Sequence, residues 1–307
     1  MKHIFYSLVV AIWLPHLDGR RFRCDYNYLK NIRGFIKYQE IPSTWDEAQL
    51  RCNLEGALLM SPIMPGFKKA MTSLANQSSV CGIHTGLHSR FSKGDFISIE
   101  GVKLSAISHT WAKEEPNNNN DEESCIAMLL DGTIADISCN ETLPYICYRK
   151  YDKNMKMYRC GHDKDYGYCR KANKCYKFHN TPQVWSRAYK TCDAESGHLA
   201  IINNISEIDI FKQMFVKMHA RRAIQDVAAS AFLGFRDWNG EWRTIHGQTL
   251  EESGYHKFKA GSINKTLNFN VCGGIDNNAN LVPLQCDIES VFICEKDMEP
   301  RVCPKRV

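Results

Sequence analysis

Two tryptophan–cysteine frames in register constrain this 307-residue chain more than any other feature of it. Trp45, Cys52, Cys125, Cys139 and Cys147 mark the first frame; Trp185, Cys192, Cys272, Cys286 and Cys294 mark the second. The step from Trp to the first Cys is seven residues in both, the next pair is fourteen apart in both, and the last step is eight in both. Only the middle interval differs, by a seven-residue insertion in the second copy. Three matching intervals imply two related domains, and cysteines kept in register imply pairs. The spacing nests these pairs as Cys52–Cys147 and Cys125–Cys139 in copy one, and Cys192–Cys294 and Cys272–Cys286 in copy two. Six of the fourteen cysteines remain. Cys24–Cys81 and Cys160–Cys175 are the expected pairs, with Cys169–Cys303 by elimination, so no free thiol is expected.

Cysteine at this density belongs to an oxidising compartment. Zinc is the competing use of cysteine, but the chain has no C-x-x-C, no H-E-x-x-H and no close Cys/His cluster. The N-terminus agrees with export: Lys2 and His3 precede an apolar run from Ile4 to Leu14, broken by Pro15. That run is too short to span a bilayer and reads as a signal peptide over residues 1–19. No later stretch reads as a membrane helix, so the expected location is secreted and extracellular. Asn76, Asn140, Asn204 and Asn264 open N-x-S/T triplets and are the candidate glycosylation sites. The net charge of +5 is modest. Its basic residues gather in a linker and at the C-terminus rather than in a stripe with interleaved aromatics, so no nucleic-acid partner is expected.

Each copy reads as mixed α and β. Thr44 and Glu47 form a capping-box pattern ahead of a helix with Trp45, Ala48 and Cys52 on one face. Trp185, Ala188, Tyr189 and Cys192 repeat it. A second helix in copy two is capped by Ser206, with Ile210, Phe211, Met214, Phe215 and Met218 as its apolar face. Its weaker counterpart runs from about Phe67 to Leu74. Phe232–Phe235, Tyr145–Cys147 and Phe292–Cys294 read as strands, whereas the Asn- and Gly-rich stretch Asn268–Cys286 reads as loop. Trp238 and Trp242 read as core, and His198 as a packed or capping residue. The expected organisation is a domain over 20–149, a linker over 150–158 and a second domain over 159–303.

The chemistry-bearing stretch lies just before Cys125. Glu115, Pro116 and Asn117 are followed by Asn118, Asn119, Asn120, Asp121, Glu122 and Glu123, so that seven oxygen-bearing side chains run consecutively from Asn117. Asp136 lies three residues before Cys139, and the Cys125–Cys139 staple would bring it back to this loop. A hard cation such as Ca²⁺ takes about six to eight oxygens from such groups. The alternative is a solvated acidic loop. A carboxylate pair for hydrolysis fits less well, because these acids are adjacent in one Asn-rich loop. No enzyme is expected.

Taken together, these features resemble the C-type lectin domain: the Trp45–Cys52 helix, the stretch from Trp111 to Asn117, Glu123 two residues before Cys125, Asp136 three before Cys139, and the Tyr145–Cys147 end. The tandem arrangement behind a signal peptide resembles the dual-domain C-type lectins of insect immunity, the immulectin group. The resemblance implies an α+β fold: two tandem, disulfide-stapled domains, each with two helices, short antiparallel strands and a long irregular loop region. It implies Ca²⁺ as cofactor, with Glu115, Asn117, Glu123 and Asp136 as both metal and sugar ligands and Pro116 as a cis proline. Glu-Pro-Asn implies sugars with equatorial 3- and 4-hydroxyls, such as mannose, on microbial glycans.

Two departures qualify this. Ala135 stands where the family has Asn before its Asp. In copy two, Ser262 and Ile263 replace Glu-Pro, Val282 and Pro283 replace Asn-Asp, and only Asn264 remains. No Ca²⁺ site of this type is expected there. The leading reading is a secreted, calcium-dependent, mannose-type lectin of innate immunity, with domain 2 offered to other immune proteins as partners. The runner-up is a protein-interaction module on the same scaffold with sugar binding weakened or lost.

Overall fold

A computed structural model describes residues 22–76, 81–221, 230–262, 270–300 and 303. The first half contains β1 (Asn27–Leu29), β2 (Gly34–Ser43), α1 (Trp45–Leu54), β3 (Leu58–Leu59), α2 (Pro65–Ala75), β4 (Gly82–His88), β5 (Ile97–Ser98), β6 (Glu123–Leu129), β7 (Ile134–Ser138) and β8 (Leu143–Lys150). The second half contains β9 (Gly167–Cys169), β10 (Lys174–Gln183), α3 (Trp185–Ala194), β11 (His198–Leu199), α4 (Ile205–Arg221), β12 (Ser230–Trp238), β13 (Glu241–Thr244), α5 (Leu250–Ser253), β14 (Val271–Asp276), β15 (Leu281–Gln285) and β16 (Ser290–Lys296). Each half builds its own sheet. The orders are β1-β2-β8-β4-β6-β7 and β9-β10-β16-β12-β14-β15, so the repeat seen in the cysteines is a repeat of topology. The α+β architecture expected from sequence is the one observed.

The repeated tryptophan explains why the helix sits where it does. Thr44 caps α1 by accepting the Glu47 amide, Asp46 and Glu47 occupy the first turn, and Arg51 the last, each favourable to the helix dipole. Trp45, Ala48 and Cys52 form the buried face. The Trp45 indole is anchored by its Nε1–H to the Thr85 carbonyl at 2.8 Å on β4, and Trp185 makes the same bond to Leu233 on β12 at 2.9 Å. Cys52 then meets Cys147 on β8, and Cys192 meets Cys294 on β16. Such a bridge stabilises by about 2–4 kcal/mol. Pro65 starts α2, whose Phe67, Ala70, Met71 and Ala75 pack with Ile83, Met128 and Ile146.

Several expectations change. The Asn268–Cys286 stretch is not loop: its described part forms the β14–β15 hairpin, with Val271, Cys272, Ile275 and Leu281 buried. Its glycines serve close packing. A Cβ on Gly273 would lie 2.1 Å from the Phe235 ring, and the asparagines are left for the turn after Asp276, whose carboxylate accepts the Asn278 and Asn280 amides. Helix α4 begins at Ile205, so Ser206 lies inside it rather than capping it. Glu207 reaches back instead, accepting the Asn203 amide at 2.8 Å. Trp242 packs on Phe235 and Phe258 as expected, but Trp238, at the tip of the β12–β13 hairpin, is 62% exposed. His198 is half-buried, with Nδ1 against the Leu199 carbonyl.

The disulfides correct one assumption. The four in-register pairs and Cys160–Cys175 form, but Cys24 bonds Cys303, not Cys81, and Cys169 is not bonded to Cys303. Among the described residues Cys81, which is exposed, and Cys169, which is half-buried, are free thiols. Pairing by elimination assumed that domains close on themselves. Here the N-terminal edge of one half meets the C-terminal end of the other. Arg23 Nη1 donates to the Ala194 carbonyl, Arg51 pairs with Asp193 at 2.6 Å, and Glu47 pairs with Arg187 and Lys190. Glu47 and Arg187 occupy the same position of α1 and α3, so the first turns of the two helices meet across this ion pair.

The 1–19 signal segment, Ile263 and Asn264 lie outside the described residues. Asn76, Asn140 and Asn204 are exposed.

Candidate functional site

The site is assembled from two segments that the β6–β7 hairpin brings together. Ile126 on β6 pairs with Asp136 on β7, and Cys125–Cys139 closes the hairpin's other end. The segment before the acidic loop runs alongside β7: the Ile134 amide donates to the Thr110 carbonyl and the Ala112 amide to the Ile134 carbonyl, both at 2.9 Å. This places Glu115, Pro116 and Asn117 over Asp136. The Glu115–Pro116 peptide is cis.

Asp136, 3% exposed, is the anchor. Its two carboxylate oxygens accept the Asn117 amide at 3.1 Å and the Asn118 amide at 3.0 Å. The Asn117 side-chain amide donates to Glu115 Oε1 at 2.9 Å, and Glu123 Oε2 accepts the Asn119 amide at 2.7 Å. One carboxylate oxygen each from Glu115, Glu123 and Asp136 lie within 4.8 Å of one another. Glu115 Oε2 is buried with no hydrogen-bond partner, and burial together with its contact to Asp136 pushes the Glu115 carboxyl up to about 7. Three converging carboxylates with an orphaned buried oxygen are a donor set that fits a hard divalent cation.

The remaining oxygens of the run do something else. Asn118, Asn120 and Asp121 adopt left-handed backbone conformations, which Asn and Asp tolerate better than other side chains. Asp121 is exposed and pairs with Lys93 and with the Asn118 side chain. Of the seven consecutive residues, Asn117 and Glu123 join Glu115 and Asp136 at the centre, and the others shape the loop. Ala135, 8% exposed, precedes Asp136 and offers no side-chain oxygen.

Among the described residues, copy two has no equivalent cluster of carboxylates. Ser262 turns its hydroxyl to the Lys259 carbonyl, and Val282 and Pro283 pair with Gly274 and Gly273 in the β14–β15 ladder. A second grouping, His179, Glu195 and Cys294, has ligand-like spacing. Its sulfur is consumed by the bond to Cys192, Lys177 pairs with Glu195, and the His179 ring stacks on Phe292. It is structural.

Residues 41–149 and 181–296 match the model of the Lectin C-type domain, together more than half of the chain. The chain belongs to the C-type lectin family. It carries two such domains in tandem, and its family is one of carbohydrate-binding proteins rather than enzymes. Among curated relatives, a hemolymph lipopolysaccharide-binding protein of Periplaneta americana is 31% identical over 128 residues, 39% of this chain and 50% of that protein. Collectin-11 of Danio rerio is 26% identical over 108 residues, 35% and 39% respectively. C-type lectin domain family 17, member A, of Homo sapiens is 30% identical over 149 residues, 46% and 36%. The chain thus spans half or less of the length of these relatives. Among solved structures, the cow carbohydrate-recognition domain of CD23 is similar at 22% identity and a TM-score of 0.39, covering 43% of this chain and 98% of that one. Among the described residues, no helix of this lectin is long and apolar enough to cross a membrane.

Sequence reading missed the surroundings of the site. Lys93, Phe96, His109 and Trp111 line a cleft that opens onto Asp136. Of these, only Trp111 belongs to a sequence motif. The others carry no spacing signal because they come from irregular loop.

Proposed function

We propose that this lectin is a secreted, calcium-dependent, mannose-type receptor for microbial surface glycans, working through domain 1. The observation that carries this is the convergence of Glu115, Glu123 and Asp136 within 4.8 Å around an unpartnered Glu115 oxygen, with Asn117 beside them. Ca²⁺ would supply open coordination positions for two vicinal sugar hydroxyls. Around it, Glu115 and Glu123 accept hydrogen bonds from those hydroxyls, and the Asn117 side-chain amide donates one back. Backbone amides already hold the Asp136 carboxylate, so it needs little reorganisation on binding. The similarity to a hemolymph lipopolysaccharide-binding protein supports a microbial glycan as the target class.

In this reading residues 1–19 are an export signal, 20–149 and 159–303 are the lectin domains, and Asn76, Asn140, Asn204 and Asn264 are glycan acceptors. Domain 2 takes the second reading, a protein-interaction module for other immune proteins, because Ser262, Val282 and Pro283 stand where carboxylates and amides would be needed. A glycan array probed with the full chain, with and without calcium, tests the proposal. Mannose-type binding lost on chelation supports it; binding indifferent to calcium and to free mannose replaces it with the protein-interaction reading.

A further inference from the structure

Domain 2 carries a cation held between aromatic rings. Arg236 on β12 lies over the Trp185 ring at 5.8 Å and over the Trp238 ring at 5.9 Å. Trp185 in turn stacks on Tyr189, one turn further along α3, with 5.8 Å between ring centroids. Tyr189, Trp185, Arg236 and Trp238 thus form one continuous strip from α3 to the tip of the β12–β13 hairpin. Both ends of the strip, Tyr189 and Trp238, are exposed.

Among the described residues, no carboxylate pairs with Arg236. Its Nη2 donates to Asn270 Oδ1 at 3.3 Å, and its buried Nε–H has no partner. The acids nearby are committed elsewhere. Asp237 accepts the Gly240 amide at 2.8 Å, Glu241 pairs with Arg243 at 2.7 Å, and Asp287 accepts from the Asn270 side chain.

Domain 1 shows how the same position can be closed. Arg90 lies over the equivalent Trp45 ring at 5.1 Å, but Asp46, the next residue of α1, accepts from its guanidinium at 2.6 Å. In α3, Ser186 stands in place of Asp46 and Tyr189 in place of Gln49. Domain 2 therefore lacks the neutralising acid and adds a ring on the same face.

Trp, Tyr and Arg are the side chains that dominate interface hot spots, and a guanidinium held against aromatic rings offers a carboxylate a fixed fork of donors. A stable interface between folded domains buries about 800 Å² on each partner across about 20–30 residues. A strip of four side chains suits a short segment instead. We infer that this strip is the partner-binding surface of domain 2. Its occupant is an acidic segment of another protein, with an Asp or Glu carboxylate on Arg236 and an apolar side chain against Trp238. This rests on the protein-interaction reading of domain 2, and the experiment separates the two.

A phage library of random linear peptides is selected on the full chain. The enriched peptides share an acidic residue beside a large apolar one. Arg236→Gln and Trp238→Ala each weaken the best peptide at least about tenfold, and Arg236→Lys does not restore it, because an ammonium lacks the planar fork. Replacing the peptide's acid by its amide costs as much in the wild type and nothing further in Arg236→Gln, as expected for groups in direct contact. Calcium-dependent mannoside binding through domain 1 is the same in all variants. Peptides that lack an acid, or that bind Arg236→Gln and Trp238→Ala as tightly as the wild type, overturn the strip alone. Absence of any enriched peptide overturns the strip and the protein-interaction reading together. So does binding of glucuronate-bearing oligosaccharides that Arg236→Gln abolishes, which would make domain 2 a receptor for acidic glycans.

Discussion

The Asn117 backbone amide donates to Asp136 Oδ1 at 3.1 Å across nineteen residues of sequence. That bond, with its neighbour from Asn118, fixes the Glu115–Asn117 segment to the one buried carboxylate of the site. Glu123 is held to the same loop by the Asn119 amide, which its carboxylate accepts at 2.7 Å. The predictions for the site follow from this dependence on Asp136 and Glu115.

Glu115→Gln keeps the shape of the side chain but removes its charge. Calcium affinity should fall at least about tenfold, on the scale of about 1.5–3 kcal/mol for a hydrogen-bonded charged group. Thermal stability without calcium should stay the same or rise, because a crowded carboxylate has been removed. Calorimetric titration and melting curves read both. Wild-type calcium affinity in this variant would show that the ion is held elsewhere.

Ala135→Asn supplies the side-chain oxygen and amide that this strand lacks next to Asp136. Calcium and mannoside affinity should rise about tenfold, the equivalent of about 1.4 kcal/mol. Unchanged affinity for both would mean that coordination at this site is complete without residue 135.

His162 sits at the junction of the two halves, 4.6 Å from the Phe22 ring. Burial, then the Arg23 and Lys296 charges, push its imidazole down to about 4. The unfolded chain, with an ordinary histidine, binds the proton first as pH falls below about 6.5, and the folded chain binds it only near 4. Stability from this group is therefore fully present at neutral pH and is lost as pH falls from 6.5 toward 4. Between about pH 7.5 and pH 5.5 the loss should be about 1 kcal/mol. His162→Phe should flatten the unfolding free energy over that window, measured by denaturant titration. An identical pH slope in the variant would remove His162 from the junction's energetics.

Thiol labelling checks the pairing. Unreduced, denatured protein should take up two maleimides, at Cys81 and Cys169, and native protein should label first at exposed Cys81. Peptide mapping should recover Cys24 joined to Cys303. Removing that pair with Cys24→Ser and Cys303→Ser should cost about 2–4 kcal/mol. Zero labels, or Cys24 joined to Cys81, would contradict the observed junction.

Much was written in the sequence. The two Trp–Cys intervals specified α1 and α3, because a helix puts Trp45 and Cys52, or Trp185 and Cys192, on one face two turns apart. The fourteen-residue steps specified the Cys125–Cys139 and Cys272–Cys286 staples, and the acids before Cys125 marked the candidate site. These signals are local: each depends on spacing within one element, or on a frame repeated in both copies.

The tertiary structure decided what depends on partners distant in sequence. Cys24 could not be matched to Cys303 from spacing, since their approach follows from α1 packing on α3 through Arg51–Asp193 and Glu47–Arg187. The Asn268–Cys286 composition favoured loop, yet Phe235 needs the bare backbone of Gly273 beneath its ring, and that packing makes a strand of it. Trp238 and Trp242 look alike in sequence, but only Trp242 faces Phe235 and Phe258 across the β12–β13 hairpin. Composition and periodicity report the preference of a segment for one local state, whereas burial and pairing belong to whichever surfaces the fold brings together.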